Sequence, residues 1–418
     1  MMESSQRRRV VITGMGVIAP NGLSLDTFWK SIRDGNSAAD KMTRFDPGDA
    51  PTLIACEIND LDGGKYIEAK TARRLERSHL YAVCAAKLAA QDANIDCAKI
   101  DADRVGVVEG TSVSSHEGIS KADTGYMARG YRSVGMYSMR NSYAGAGASE
   151  IAHELHVMGH CITCSSSSAS GNDAIGYALH MIQDEEVDVM IAGGTEAPIL
   201  PHAWGPLCVN KVLSRHNDNP KAAMRPFDRS RDGLVLGEGA AFLVMEELSF
   251  ALARGARIYC EVLGHGRSCE AYHPVAPHPE GIGYFRSMEK ALRRAQVDIS
   301  EIDYINAHGT ATDANDVVET KAIRNMFGQH ARRIAVSSTK PITGHLMAAA
   351  GALETVVTAL AIQNSVIPLT LNHHDPDPEC DLDYVKDESR PYPIRIALNL
   401  SAGFGGKNSC LVLRRFPV

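Results

Sequence analysis

Apolar and polar positions along the chain switch between two periods. Residues 8–18, centred on Val10, Val11 and Ile12, read as a buried strand closing on a turn at Gly14 and Gly16. Residues 28–35 are predicted to form a short helix with Asp26 as its N-cap. Residues 72–91 form a longer helix, basic at its start and apolar along Leu80, Val83, Ala86 and Leu88. An apolar run at 105–108 ends at Gly110-Thr111, whereas residues 118–145, rich in Gly, Ser, Tyr and Met, fit a surface excursion or an oligomer contact. Ile162-Thr163 leads into the serine-rich segment 165–171, a helix follows over 172–183, and a strand over 187–192 stops at Gly193-Gly194. Strands alternating with helices place the chain in the α/β class.

The pattern also repeats. An Ala-rich helix, a linker, an apolar strand and a Gly-Thr turn occur at 85–111 and again at 290–310. Gly171 opens the helical segment NDAIGYALHMI, and Gly351, 180 residues later, opens ALETVVTALAI. Strands closing on glycine pairs follow at 187–194 and 394–406. Three matched elements in one order predict a duplication, with one half at 1–255 and the other at 256–418.

Composition narrows the class. The chain has 418 residues, 44% hydrophobic and 22% charged, which suits a soluble protein with a substantial core. A net charge of −7 argues against general nucleic-acid binding. The ten cysteines are scattered, without the spacing of a disulfide scaffold. Apolar stretches fall well short of the ~20 residues that a membrane span needs. Arg7-Arg8-Arg9 precedes an apolar run, but Thr13, Gly14 and Gly16 break it before it resembles a signal peptide. The expectation is a reduced, cytoplasmic protein without membrane or nucleic-acid partners.

Two of the sixteen histidines stand apart. His308 lies in NAHGT and His345 in KPITGHLMAAAG, each at a Gly-marked junction between strand and helix, where open α/β structures place ligands. The 165–171 turn is a third such junction, and the free N–H groups of the helix after it favour negative charge. Two imidazole donors near a helix start suit an anionic oxygen. Donating to a thioester carbonyl, they would stabilise the enolate left when a malonyl group loses carbon dioxide. Lys340 and Glu319 are expected to pair beside them. No metal is implied, because the histidines lack metal-ligand spacing.

Taken together, RRVVITGMGVIAPNG (8–22), VDVMIAGGTEA (187–197), LSRHNDNP (213–220), RPFDRSRDGLVLGEGA (225–240), NAHGT (306–310), KPITGHLMAAAG (340–351) and GFGG (403–406) resemble the β-ketoacyl-ACP synthases of the thiolase-like superfamily. The resemblance implies a five-layered α-β-α-β-α fold from two duplicated halves, a homodimer, and acyl groups delivered on the phosphopantetheine arm of acyl carrier protein (ACP), with no other cofactor. It assigns His308 and His345 as the catalytic pair, Lys340 and Glu319 as their support, and Phe404 as a gating residue. By alignment, Lys70, Arg73, Arg74 and Lys211 would meet the acidic carrier protein.

The chain departs from that family where it matters most. Elongating synthases carry a cysteine in a segment like Thr-Ala-Cys-Ala-Ser-Gly; here Ser168 occupies the cysteine position. Cys164 comes four residues too early, and Cys161 and Cys164 read as core cysteines of a strand rather than a redox pair. A thiol is intrinsically nucleophilic, whereas a serine hydroxyl needs a dedicated base, and none is evident. A large aromatic of the glycine loop has become Ala402, a threonine there Lys407, and a lysine of the His308 loop Val317. Serine for cysteine with both histidines kept resembles the free-standing decarboxylases of polyketide β-branching cassettes. The resemblance implies conversion of malonyl-ACP to acetyl-ACP, which a 3-hydroxy-3-methylglutaryl-type (HMG) synthase uses downstream. The alternatives are a condensing enzyme using Ser168, a deliberate cysteine-to-serine exchange, and a non-catalytic subunit like a chain-length factor.

Overall fold

The computed structural model describes residues 7–417. Its first half contains β1 (Val10–Ile18), α1 (Leu25–Asp34), α2 (Arg77–Asp92), β2 (Val105–Gly110), α3 (His116–Arg129), α4 (Ala146–Leu155), β3 (Cys161–Cys164), α5 (Ser170–Gln183), β4 (Val189–Glu196) and β5 (Gly239–Glu247). The second half contains β6 (Cys260–Cys269), α6 (Ile282–Ala295), β7 (Tyr304–Asn306), α7 (Asp313–Phe327), β8 (Ala335–Ser337), α8 (Ala350–Asn364), β9 (Ile396–Gly403) and β10 (Lys407–Arg414).

Strand order shows the duplication directly. The first half runs β3-β2-β4-β5-β1 and the second β8-β7-β9-β10-β6, so each strand has its counterpart five places later. Orientation follows the same rule. β2 is parallel to β3 and β4, while β4–β5 and β5–β1 are antiparallel. β7 is parallel to β8 and β9, while β9–β10 and β10–β6 are antiparallel. The halves join where β1 pairs antiparallel with β6, Val10 opposite Val262. α5 and α8 pack on each other between the two half-sheets, with α2 outside the first half and α6 outside the second, which gives five layers. Burial is correspondingly deep: α8 is closed to solvent from Ala350 to Ile362, and every residue of β1 and β4 is buried.

Local predictions shift where packing overrides pattern. β1 does not turn at its glycines but continues to Ile18. Gly14 and Gly16 instead let α2 lie against the strand, since a Cβ on either would sit about 2 Å from the Ala89 or Ala85 carbonyl oxygen (2.3 and 2.0 Å). Ser24, not Asp26, caps α1, its hydroxyl accepting from Thr27 N at 3.3 Å. The basic start of the predicted 72–91 helix lies outside α2: Arg73 and Arg74 follow a separate turn at Ala69–Ala72, and α2 opens only at Arg77. α5 begins at Ser170, earlier than the pattern suggests. The 118–145 segment opens with α3 and leaves Tyr126, Met127, Tyr131, Met136 and Met139 exposed. The reading of Cys161 and Cys164 as core residues is corrected: β3 is the edge strand, so Cys161 is exposed and Cys164 only partly covered.

Candidate active site

The parallel strands β2, β3, β4, β7, β8 and β9 bring their carboxyl ends, and the loops after them, to one region. There a cavity of about 270 Å³ is lined by Ser168, His308, His345, Ala402, Gly403 and Phe404. The three sequence-predicted junctions therefore meet, one from the first half and two from the second.

Ser168 sits on a tight turn between β3 and α5. Ser167 holds a φ of 58°, the left-handed region that costs a side-chain-bearing residue about 1 kcal/mol or more. Ser170 staples the turn, its hydroxyl donating to Ser167 O at 2.6 Å and accepting from Ser166 N at 2.9 Å. Gly403 lies close enough that a Cβ would come within 2.9 Å of Ser168 N. Ser168 is 5% exposed, and among the described residues no side chain hydrogen-bonds its hydroxyl.

His308 follows β7 on a loop strapped by two acids of α7. Glu319 accepts from His308 N at 2.7 Å and Gly309 N at 2.8 Å, and Asp316 accepts from Thr310 N at 3.1 Å. Burial, opposed by these donors, pushes Glu319 up to about 7. His345 is pinned through its backbone, donating to Val235 O at 2.8 Å and accepting from Gly237 N at 3.0 Å. The two rings stand edge to face, their centres 5.3 Å apart. In each, Nδ1 is enclosed and has no partner. Burial, then the charge of Lys340, holds both imidazoles well below the ordinary histidine pKa, so both are neutral at pH 7. With Nδ1 walled off, Nε2 is the nitrogen each ring can offer to the cavity, and a proton carried there makes it a donor.

The expected Lys340–Glu319 pair does not form. Lys340, 1% exposed, pairs instead with Glu354 of α8, itself 3% exposed. Glu319 is occupied by backbone N–H groups, and Glu354 is a lone acid in an otherwise closed helix that needs a cation. That isolated glutamate in ALETVVTALAI is the signal that would have pointed to it. Thr310, Thr312 and Asn315, which also line the cavity, carried no distinctive spacing.

The other assigned residues divide. Phe404 is 36% exposed at the cavity wall. Lys211 is exposed and lines the mouth. Lys70 and Arg73 are exposed on the turn before α2, but Arg74 is half-buried, its guanidinium 4.7 Å from the centre of the Tyr137 ring. Among the described residues no group of three or more His, Cys, Asp or Glu is arranged to hold a metal, and no helix is long and apolar enough to cross a membrane.

The two half-sheets around the paired central helices have the α/β fold of the thiolase type. Residues 7–251 match the β-ketoacyl synthase N-terminal domain and residues 259–374 the C-terminal domain. The chain belongs to the β-ketoacyl synthase family. It is 39% identical over 415 residues to a 3-oxoacyl-[acyl-carrier-protein] synthase 2 of Synechocystis sp., covering 99% of this chain and 100% of that one. Against the protein of the same name from Coxiella burnetii it is 40% identical over 410 residues, covering 98% and 99%. Among solved structures, the ishigamide ketosynthase/chain length factor superposes with a TM-score of 0.92 at 36% identity, covering 99% of this chain and 100% of that one. A type II PKS ketosynthase in complex with its acyl-carrier protein gives 0.90 at 32% identity, covering 98% and 100%.

Proposed function

We propose that the protein decarboxylates malonyl-ACP to acetyl-ACP. One observation carries this reading: a single cavity holds two neutral, enclosed imidazoles beside a serine that has neither a thiol nor an activating base. The malonyl thioester enters on its phosphopantetheine arm with its carbonyl oxygen toward His308 and His345. The bond between the α-carbon and the carboxylate breaks, its electron pair moves into the enolate, and carbon dioxide leaves. Two imidazole N–H groups hold the enolate oxygen, and water then protonates the α-carbon. Ser168 lines the pocket and is not acylated. The acetyl-ACP would supply an HMG-type synthase in polyketide β-branching. A second reading, condensation through Ser168, is favoured by the names of the relatives, which are synthases. A chain-length-factor-like role is favoured by the ishigamide neighbour.

Intact-mass measurement of malonyl-ACP incubated with the protein, with and without an acyl-ACP primer, separates the three. Acetyl-ACP in both samples is expected. A β-ketoacyl-ACP product with acylated Ser168 would sink decarboxylation as the main activity, and no turnover would favour the subunit role. The native mass of the same sample should be that of a homodimer, since β3 offers an open strand edge and the same half leaves Met139, Tyr143 and Met158 exposed.

The carrier protein is proposed to dock on Lys70, Arg73 and Lys211. Arg74 contributes chiefly by stacking on Tyr137, so the informative variant is Lys70→Ala/Arg73→Ala. It should raise KM for malonyl-ACP by about fivefold while leaving a small malonyl thioester unaffected. Unchanged KM on the carrier protein would remove these residues from the docking surface.

A further inference from the structure

His116 and His202 meet on the surface of the first half, and the chemistry above uses neither. His116 opens α3, and His202 is the second residue of the short helix Pro201–Val209. Nδ1 of His116 stands 2.9 Å from Nε2 of His202. The ring centres are 4.8 Å apart and the planes tilted by 54°, so the rings meet through these two nitrogens rather than by stacking. Neither ring has another hydrogen-bond partner among the described residues. His202 is exposed and His116 half-buried, which leaves the pair open to solvent.

Two imidazole nitrogens at this spacing can share one metal ion. At the usual imidazole–metal distance of ~2.0–2.1 Å, two ligands at a right angle lie about 2.9 Å apart, and two at the tetrahedral angle about 3.4 Å. The observed spacing is that of the right angle, which square-planar and octahedral ions use. We propose that His116 and His202 bind one divalent late-transition-metal ion of the nickel or copper class, with water in its remaining positions. Hard ions such as magnesium and calcium take oxygen ligands and are disfavoured by this donor set. A ligating imidazole must be neutral, and the surroundings hold it so. The partial cover of its ring, then the charge of His116, keeps His202 below the ordinary histidine pKa. Both residues also sit in a first helical turn, whose dipole opposes a protonated ring. The same dipoles oppose the ion, but the side-chain charges nearby are balanced. Glu117, next to His116, is engaged by Arg77 and Lys121 at 3.1 Å each, Arg77 is also held by Glu238, and Lys121 by Glu76. The ion therefore meets no uncompensated cation in the first two turns of either helix.

Metal binding ties α3 to the helix that buries Trp204 and lends Leu207 to the wall of the catalytic cavity. The test is calorimetric titration of the untagged full-length protein with nickel(II) chloride, in wild type, His202→Ala and His116→Gln. One ion per chain is expected in the wild type, with affinity at least about tenfold lower in each variant. Copper(II) in place of nickel should give an electron paramagnetic resonance spectrum split by two imidazole nitrogens, and by no more than one in either variant. Glutamine at position 116 can still hydrogen-bond His202, so it separates a ligand from a brace. Its unfolding midpoint without metal should stay that of the wild type, while the rise that nickel gives the wild type is lost. Excess magnesium should leave nickel in place. Affinity unchanged in both variants would put the ion on the exposed thiols of Cys161 or Cys269 and overturn the proposal, as would displacement by magnesium or the absence of saturable binding. The titration needs no acyl substrate, so its failure is distinct from a failure to decarboxylate malonyl-ACP.

Discussion

His308→Ala and His345→Ala are each expected to lower kcat for malonyl-ACP decarboxylation by on the order of 10² or more, with little change in KM. The residues are 4% and 3% exposed, so their rings are held in place before substrate arrives and need no reorganisation as charge develops on the enolate oxygen. The same burial fixes the sign of the pH dependence. Because both pKa values lie well below the ordinary value of about 6.5, lowering the pH from 8 to 6 does not protonate either ring. The pH–rate profile should therefore show no step from these rings near 6.5. Near-full activity in both variants would refute the enolate mechanism.

Lys340→Met should destabilise the protein by about 3–5 kcal/mol, because it strands Glu354 without a counter-charge in a closed helix. Burial pushes Glu354 up to about 7 even with Lys340 drawing it down. The denaturant midpoint measures the loss. Lys340→Met/Glu354→Leu removes both charges and should recover most of it, since an apolar pair of similar volume often replaces a buried ion pair at no cost. A single variant that loses less than about 1 kcal/mol would mean that the pair is solvated and unimportant. The ion pair also reaches the chemistry. Lys340 adds to burial in lowering both imidazoles, so in the double variant their pKa values should rise, with burial, the larger cause, still holding them below the ordinary value.

Much of this was legible along the chain, in specific places. The matched helices opened by Gly171 and Gly351 are α5 and α8, packed together in the middle layer. The matched strands are counterparts in the two half-sheets. The reason is periodicity: buried parallel strands and closed helices leave continuous apolar runs, and glycines mark where backbones touch. The same signal misleads when one cause imitates another. Gly14 and Gly16 looked like a turn and are a contact with α2, because a glycine is needed both where a chain reverses and where a helix presses on a strand.

What the sequence determined by itself is the α/β duplication, a serine-rich turn with Ser168 and no cysteine in it, and the two histidines at Gly-marked strand ends. These depend on residue type and local order, which a linear chain displays. Tertiary structure alone decided that Glu354 rather than Glu319 faces Lys340, that Arg74 stacks on Tyr137, that β3 is an edge strand with Cys161 exposed, and that His116 meets His202. Each of these is a choice among partners distant in sequence, set by which faces the folded layers bring together and by how costly an unpaired charge becomes once water is excluded.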